Sequence, residues 1–224
     1  DSTFTQKPVM PAGSRFRQAI HGYLDYNHKY WSKLGIDILM GVPTDAVMTA
    51  GQMQFLPDNL MISLDSSDYT MVLSSQNLYP IRDDLDKKSF FTPFVVFSML
   101  AIFIVLLGYV KNKFTQAFLQ GFDGMFFFLA GLLGCIILFM WFGTEHSMTK
   151  NNFNILWAWP THTIMAFFIN SKKNWVQQYF KFTAVALMGV LISWFFLPQE
   201  MNSALIPVVL LLIYRSSLKS LQSK

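Results

Sequence analysis

Five apolar stretches after residue 88 constrain the fold of this chain more than any other feature. They cover residues 90–110, 125–142, 153–169, 182–197 and 204–214, and the first two contain no charged residue. A helix needs about 20 apolar residues to cross the roughly 30 Å hydrocarbon core of a bilayer. The first four stretches approach that length, and the fifth reaches it if Arg215 extends its side chain to the interface. The sequence therefore predicts a mainly α fold, a polytopic membrane helix bundle of about five spans.

The basic residues are distributed unequally between the loops that join these stretches. Cytoplasmic loops of membrane proteins carry an excess of Lys and Arg. Eight basic residues lie in the alternate loops 111–124, 170–181 and 215–224, whereas the loops 143–152 and 198–203 hold only Lys150. If the three basic residues just before the first span are counted on the same side as Lys150, the totals are eight basic residues on one side of the membrane and four on the other. This asymmetry predicts a cytoplasmic C-terminus, and with five spans it leaves residues 1–88 outside the cytoplasm.

Residues 1–88 form a more polar part that holds 10 of the 13 acidic residues. Apolar periodicity and stop signals predict helices at 14–24, 31–40 and 57–64, and imperfect alternation predicts a strand at 69–78. Such a segment is too small to bury a core alone. The orientation also requires a targeting signal upstream of Asp1. We therefore expect a small, mostly helical extracytoplasmic segment at 1–88, the end of a larger domain, followed by the bundle at 89–224.

Composition and motifs exclude several classes of function. The net charge of +4 does not indicate a nucleic-acid partner, because the basic residues flank apolar segments, where membrane orientation explains them. No Walker loop, dinucleotide glycine pattern, HExxH pair or CxxC motif occurs, and we expect neither a cofactor nor a metal site. The single cysteine, Cys135, lies in the middle of a predicted span, where a thiolate is disfavoured, so it is expected to be a packing residue.

Polar residues around the third apolar stretch are the best candidates for a site. Glu145 and His146 follow the second span, Asn152 and Asn154 precede the third, and His162 lies inside the third. A carboxylate near a histidine can orient it, and an ionisable residue within a span is a functional candidate. The alternative is structural: the loop caps two helices, the asparagines are N-caps, and the histidine hydrogen-bonds a neighbouring helix.

Two stretches resemble a known family. The first is Gly35-Ile-Asp-Ile-Leu-Met-Gly-Val-Pro-Thr-Asp, followed by Gln52-Met-Gln-Phe-Leu-Pro; the second is Trp141-Phe-Gly-Thr-Glu-His, followed by Asn152-Phe-Asn-Ile-Leu-Trp-Ala-Trp-Pro. From about Phe16 to Tyr214, the chain resembles the C-terminal half of bacterial lipoprotein N-acyltransferases of the Lnb type. The motif positions that carry this resemblance are Asp37, Gly41, Asp45, Phe55, Pro57, Trp157 and Pro160.

The resemblance implies a periplasmic domain with a cysteine–histidine active site, joined to about five helices in the bacterial inner membrane. It implies acyl transfer to lipoprotein N-termini at the outer face of that membrane. A phospholipid or lipoprotein substrate, membrane lipids and the upstream catalytic domain would be the partners. The catalytic cysteine would lie upstream, so this chain would supply no catalytic residue. Glu145, His146, Asn152 and Asn154 would form an outer-face rim that positions a lipid headgroup or the lipoprotein amine. The alternative is a non-catalytic membrane anchor or scaffold.

Overall fold

The computed structural model of the chain describes residues 7–65, 74, 76 and 89–221. The α-helices of these ranges are α1 (Phe16–Tyr26), α2 (Tyr30–Leu39), α3 (Pro57–Asp65), α4 (Pro93–Leu107), α5 (Lys113–Phe142), α6 (Thr161–Met165), α7 (Asn174–Ser193) and α8 (Ile206–Ser220). No β-strand occurs in the described ranges, and the mainly α class is confirmed. The strand predicted at 69–78 lies outside the described residues, apart from residues 74 and 76.

The chain divides into two compact units. The first consists of Asp1–Lys29 and Thr44–Lys88, and the second of Tyr30–Pro43 and Ser89–Lys224. The observed division differs from the predicted boundary after residue 88 because residues 30–43 group with the helix bundle. The physical reason is burial: Leu34 of α2 is 5% exposed and belongs to the main apolar core of the second unit.

In the first unit, a buried ion pair joins α1 to the turn that follows residue 43. Arg17 donates from Nε and Nη2 to the two carboxylate oxygens of Asp45, at 2.8 and 3.0 Å, and from Nη2 to the Thr44 hydroxyl at 2.7 Å. Beside it, the rings of Phe16 and Phe55 pack edge to face, with centroids 5.3 Å apart. Such a bidentate, desolvated pair fixes the geometry of the turn.

In the second unit, three helices are long and apolar enough to cross a membrane: α5, α7 and the segment Ser203–Ser220, which contains α8. The apolar helix α4 has 15 residues and is shorter. The third predicted span, 153–169, is not one continuous helix. It consists of a 3₁₀ turn at Phe153–Leu156, the short α6, and a second 3₁₀ turn at Ala166–Phe168. Pro160 has no N–H to donate, and proline in a helix interior clashes with the preceding turn.

The irregular third segment packs closely against α5. A side-chain carbon at Gly134 would overlap the Ala158 carbonyl oxygen, and one at Gly131 would overlap the backbone nitrogen of Thr163. Only glycine permits this approach of the two backbones. Ala158 itself is fully buried. Irregular backbone at membrane depth is tolerated where it is buried in protein, as it is at Ala158.

Large apolar side chains cover the outward surface of the bundle. Phe139 of α5, Phe182 of α7 and Ile192 of α7 are 63%, 65% and 78% exposed. A soluble surface rarely carries such continuous apolar area, whereas a bilayer solvates it. This surface therefore fits contact with lipid tails.

Candidate functional site

Four of the candidate residues, Glu145, His146, Asn152 and Asn154, lie at one end of the bundle, which we call the rim and define by residues 143–154 and the loop 198–203. The hydroxyls of Thr144 and Thr149 both donate to the Met140 carbonyl, at 2.8 and 3.0 Å. Thr149 also donates to the His146 carbonyl at 2.9 Å. The backbone is thus held at His146, while the side chains of Glu145 and His146 are exposed. No hydrogen bond joins these two side chains in the part of the chain that the structure describes.

Asn152 and Asn154 are buried, each 1% exposed, and their amides bind the end of α2. Asn152 Nδ2 donates to the Ile38 carbonyl at 2.8 Å. Asn154 Nδ2 lies 3.0 Å from the Asp37 carbonyl and 3.2 Å from the Ile38 carbonyl. The last four carbonyls of a helix have no partner within the helix. The two asparagines therefore provide the hydrogen bonds that α2 lacks at its C-terminus, and they fix the position of this helix on the rim.

Two further amides from the second rim loop complete this contact. Gln199 Nε2 donates to the Met40 carbonyl at 2.9 Å, and Asn202 Nδ2 donates to Asp37 Oδ2 at 2.7 Å. We call Asn152, Asn154, Gln199 and Asn202 the amide clamp. Sequence reasoning missed Gln199 and Asn202, since an uncharged amide in a short loop gives no signal that distinguishes a buried clamp residue from a solvated one.

Gly41 extends the contact beyond α2. Its backbone nitrogen donates to the Met148 carbonyl at 2.9 Å, and the nitrogen of Val42 donates to the Asn151 carbonyl at 3.3 Å. A side-chain carbon at Gly41 would overlap the Lys150 carbonyl oxygen. Glycine is therefore required at this position by the closeness of the two backbones. Asn151 has a φ of +51°, a left-handed conformation that asparagine adopts more readily than most residues.

His162 lies in a separate, aromatic environment in the bundle. It is fully buried, its Nδ1 shares a hydrogen bond with the Tyr179 hydroxyl, and its ring stacks on Trp159 with centroids 5.2 Å apart. The edge of Phe127 completes the enclosure at 5.4 Å. All of these contacts come from the bundle helices and the third segment, so the structure does not bring His162 into contact with Glu145 or His146.

The motif positions fall in both units. Asp45, Phe55 and Pro57 belong to the first, where Pro57 begins α3; Asp37, Gly41, Trp157 and Pro160 belong to the second. Trp157 is 2% exposed and donates from Nε1 to Asn154 Oδ1 at 3.0 Å, so it orients an amide of the clamp. Among the described residues, no group of three His, Cys, Asp or Glu side chains is placed to hold a metal ion.

Comparison with protein families identifies the bundle. A family model described as the Lnb transmembrane domain matches residues 85–224. The chain belongs to the Lnb transmembrane domain family. Comparisons with curated proteins and with solved structures find no match. The predicted resemblance and the predicted membrane bundle are confirmed, because the Lnb transmembrane domain has five membrane helices. The protein is therefore a multi-pass membrane protein.

The Lnb transmembrane domain match begins at residue 85, yet the compact unit here also contains residues 30–43. The bundle thus holds a helix from an earlier part of the chain. The chain passes between the two units three times, at 29–30, 43–44 and 88–89. A simple anchor needs only one such connection.

A second polar cluster of the Lnb transmembrane domain lies toward the start of α5. Asp123 is fully buried and receives Arg215 Nε and Nη2 on its two oxygens, at 2.6 and 2.7 Å. Lys219 Nζ lies 2.9 Å from Asp123 Oδ2 and 3.4 Å from Asn170 Oδ1. Sequence reasoning had placed Asp123 in a loop. Arg215 and Lys219 occupy i and i+4 positions on one face of α8, which was the available signal for a shared partner.

Proposed function

We propose that this chain is the membrane part of a lipoprotein N-acyltransferase of the Lnb type, and that its bundle takes part in acyl transfer to lipoprotein N-termini. The rim would lie at the outer face of a bacterial inner membrane, with the first unit in the periplasm and the C-terminus in the cytoplasm. The nucleophilic cysteine would belong to the periplasmic catalytic domain that precedes the matched region. The bundle would hold the chain entering from that domain beside the lipid substrates.

The amide clamp is the observation that carries this proposal. Three buried amides, the partly buried amide of Asn202 and the backbone of Gly41 bind a segment, residues 30–43, that precedes the family match. Buried polar groups of this kind fix a unique geometry, since each donor would be left unsatisfied in any other arrangement. Transfer of an acyl group requires the reacting groups to be held within a fraction of an ångström of productive geometry. A bundle that fixes the chain in this way supports a role in positioning, beyond attachment to the membrane.

Exchanging the bundle tests this role. Residues 89–224 of the full-length protein are replaced by an unrelated bundle of five spans with the same topology. We expect N-acylation of lipoproteins, measured by mass spectrometry of their N-terminal peptides, to be lost although the hybrid is abundant and inserted, because α2 has lost the clamp. Retained acylation in the hybrid would favour the anchor and would overturn the proposed role.

His146 tests the contact with substrate separately from the clamp, because its exposed side chain makes no hydrogen bond to α2 among the described residues. A hydrogen bond from histidine to a charged headgroup is worth about 1.5–3 kcal/mol, so His146→Ala should lower kcat/KM for N-acylation roughly 10- to 150-fold. The loss should appear mainly in KM if the interaction is made equally in the ground and transition states. The matched control is Ser147→Ala, an exposed neighbour in the same loop. If His146→Ala and Ser147→Ala both retain the wild-type kcat/KM, His146 does not take part in substrate binding.

A further inference from the structure

An apolar groove lies at the rim, between α2 and the end of α5. Its volume is about 340 Å³, and its lining residues are Gly35, Ile36, Leu39, Met40, Met140, His146, Met148 and Thr149. Ligand pockets in proteins have volumes of about 300–1,000 Å³. The groove is therefore at the small end of that range, and it suits one slender chain better than a bulky molecule.

The lining selects an apolar occupant with one polar end. Thr149 already donates its hydroxyl to the carbonyls of Met140 and His146, so it is satisfied within the protein. The exposed imidazole of His146 then stands at the edge of an otherwise apolar surface. Burying a polar headgroup among methionine and leucine side chains would leave it without hydrogen bonds. Methionine, with three rotatable bonds, adapts its shape to flexible apolar ligands.

The groove continues an exposed apolar stripe of α5. Met140, which lines the groove, lies one helical turn after Ile136 and two turns after Leu132. Ile136 and Leu132 are 43% and 40% exposed on the surface that fits lipid contact. A hydrocarbon chain could therefore pass along α5 from the bilayer into the groove without leaving apolar surface.

We infer that this groove binds one acyl chain of a membrane phospholipid, with the ester end of that chain at His146. Phospholipid is the bulk occupant of the surface from which the groove continues, and the groove has room for one of its two chains. The bound chain would be drawn past the end of α5, where its ester is accessible from the rim. This inference rests on the proposed function, because it supplies the acyl donor of that reaction.

Gly35 gives a way to block the groove without disturbing the fold. It lies within α2 and lines the groove, and a side-chain carbon built on it meets no atom within 4 Å. Leucine at this position favours the helix more than glycine does. Gly35→Leu should therefore occupy the groove while α2 stays in place. The matched control is Gly121→Leu, also helical and also facing open space. At 1.5 Å per residue it lies roughly 28 Å from Met140 along α5.

The experiment uses the full-length protein in lipid nanodiscs that contain phosphatidylethanolamine with a photoreactive diazirine in one acyl chain. We expect crosslinks to concentrate on Met40, Met140 and Met148, identified by peptide mass spectrometry. Gly35→Leu should reduce crosslinking and N-acylation each by at least about tenfold, whereas Gly121→Leu should change neither. Thermal unfolding of both variants verifies that they are folded.

The outcomes separate this inference from the proposed function. Crosslinks confined to lipid-facing residues such as Ile136, or normal acylation by Gly35→Leu, would overturn the groove as an acyl site. If the wild-type protein acylates lipoproteins in the same experiment, the proposed function is not affected by that result. Crosslinks in the groove of a wild-type protein that transfers no acyl group would overturn the proposed function and leave the groove as a lipid site. Crosslinking by a diacylated lipopeptide probe in place of the phospholipid would overturn the choice of occupant.

Discussion

Asp123→Asn is expected to destabilise the bundle by roughly 3–5 kcal/mol, the usual cost of removing one partner from a buried ion pair. Asp123 is the carboxylate shared by Arg215 and Lys219, which are only 5% and 4% exposed. Asparagine has nearly the same size but no charge. The substitution therefore leaves two buried cations without an anion, and the packing of α5 against α8 changes little by volume. Unfolding of the purified protein by sodium dodecyl sulfate in mixed micelles measures the change.

The control for this prediction keeps asparagine at position 123 and removes one buried positive charge, so that the net charge of the cluster returns to its original value. Adding Lys219→Met to Asp123→Asn removes one of the stranded cations, so the double variant should recover part of the lost stability, as expected for residues that share one interaction network. Lys113 is an exposed cation at the start of α5, the helix that contains Asp123, so Lys113→Met should change the stability by less than about 0.5 kcal/mol. An Asp123→Asn protein as stable as the wild type would show that Asp123 does not balance these charges.

The sequence predicted local elements well where the chain carries its own stop signals. Helix α2 was expected at 31–40 and is found at Tyr30–Leu39, because Gly41 and Pro43 end it. Helix α3 was expected at 57–64 and is found at Pro57–Asp65, because proline favours the first helical position. These signals act between residues a few positions apart, which is the range that a periodic pattern reports.

The assignment of α2 to the bundle could not be predicted in the same way. The amides that hold it are separated from their acceptors by more than a hundred residues: Asn154 and Ile38, for example, lie 116 positions apart. Except for the Asp37 carboxylate that accepts from Asn202, their acceptors are backbone carbonyls, which every residue possesses, so the composition of the chain does not indicate the pairing. Asn152 and Asn154 were expected, from their polarity, to belong to a rim that positions a substrate, and the structure shows both as buried donors to α2.

The third apolar stretch shows the corresponding limit for membrane segments. Its hydropathy fits a span, yet its backbone changes between 3₁₀ and α turns around Pro160. Hydropathy measures the preference of side chains for lipid and does not report which backbone hydrogen bonds are made. The glycines of α5 that allow this backbone to approach pack against Ala158 and Thr163, and these partners could be identified only from the structure.

Gly41→Ala is expected to detach α2 from the rim, because the added methyl group would overlap the Lys150 carbonyl oxygen. Neither neighbour can yield easily: the Gly41 nitrogen is bonded to the Met148 carbonyl, and Val42 to the Asn151 carbonyl. Forced overpacking costs about 1–3 kcal/mol, which is enough to release a segment held by a few hydrogen bonds. Amide hydrogen exchange in residues 30–43 should therefore accelerate about 5- to 150-fold if the cost appears as local opening.

Gly22→Ala provides a control of opposite sign. Gly22 lies inside α1, and a side-chain carbon there meets no atom within 4 Å, so alanine should stabilise the helix by about 0.4–1 kcal/mol. The pair of variants thus separates the effect of a methyl group on a glycine from the effect of steric overlap at the rim. If hydrogen exchange in residues 30–43 is the same in Gly41→Ala as in the wild type, the close backbone contact does not hold α2.

The functional consequence of Gly41→Ala distinguishes a positioning bundle from an anchor. The substitution leaves the five-span bundle, its charge cluster and the membrane attachment of the full-length protein intact, and it changes only how residues 40–42 meet the rim. A bundle that positions the catalytic domain should then lose most N-acylation while α5, α7 and α8 keep their slow hydrogen exchange. An anchor should retain acylation even when residues 30–43 exchange rapidly. Rapid exchange with undiminished acylation would therefore contradict the proposed function, because the clamp would be open and the reaction unaffected.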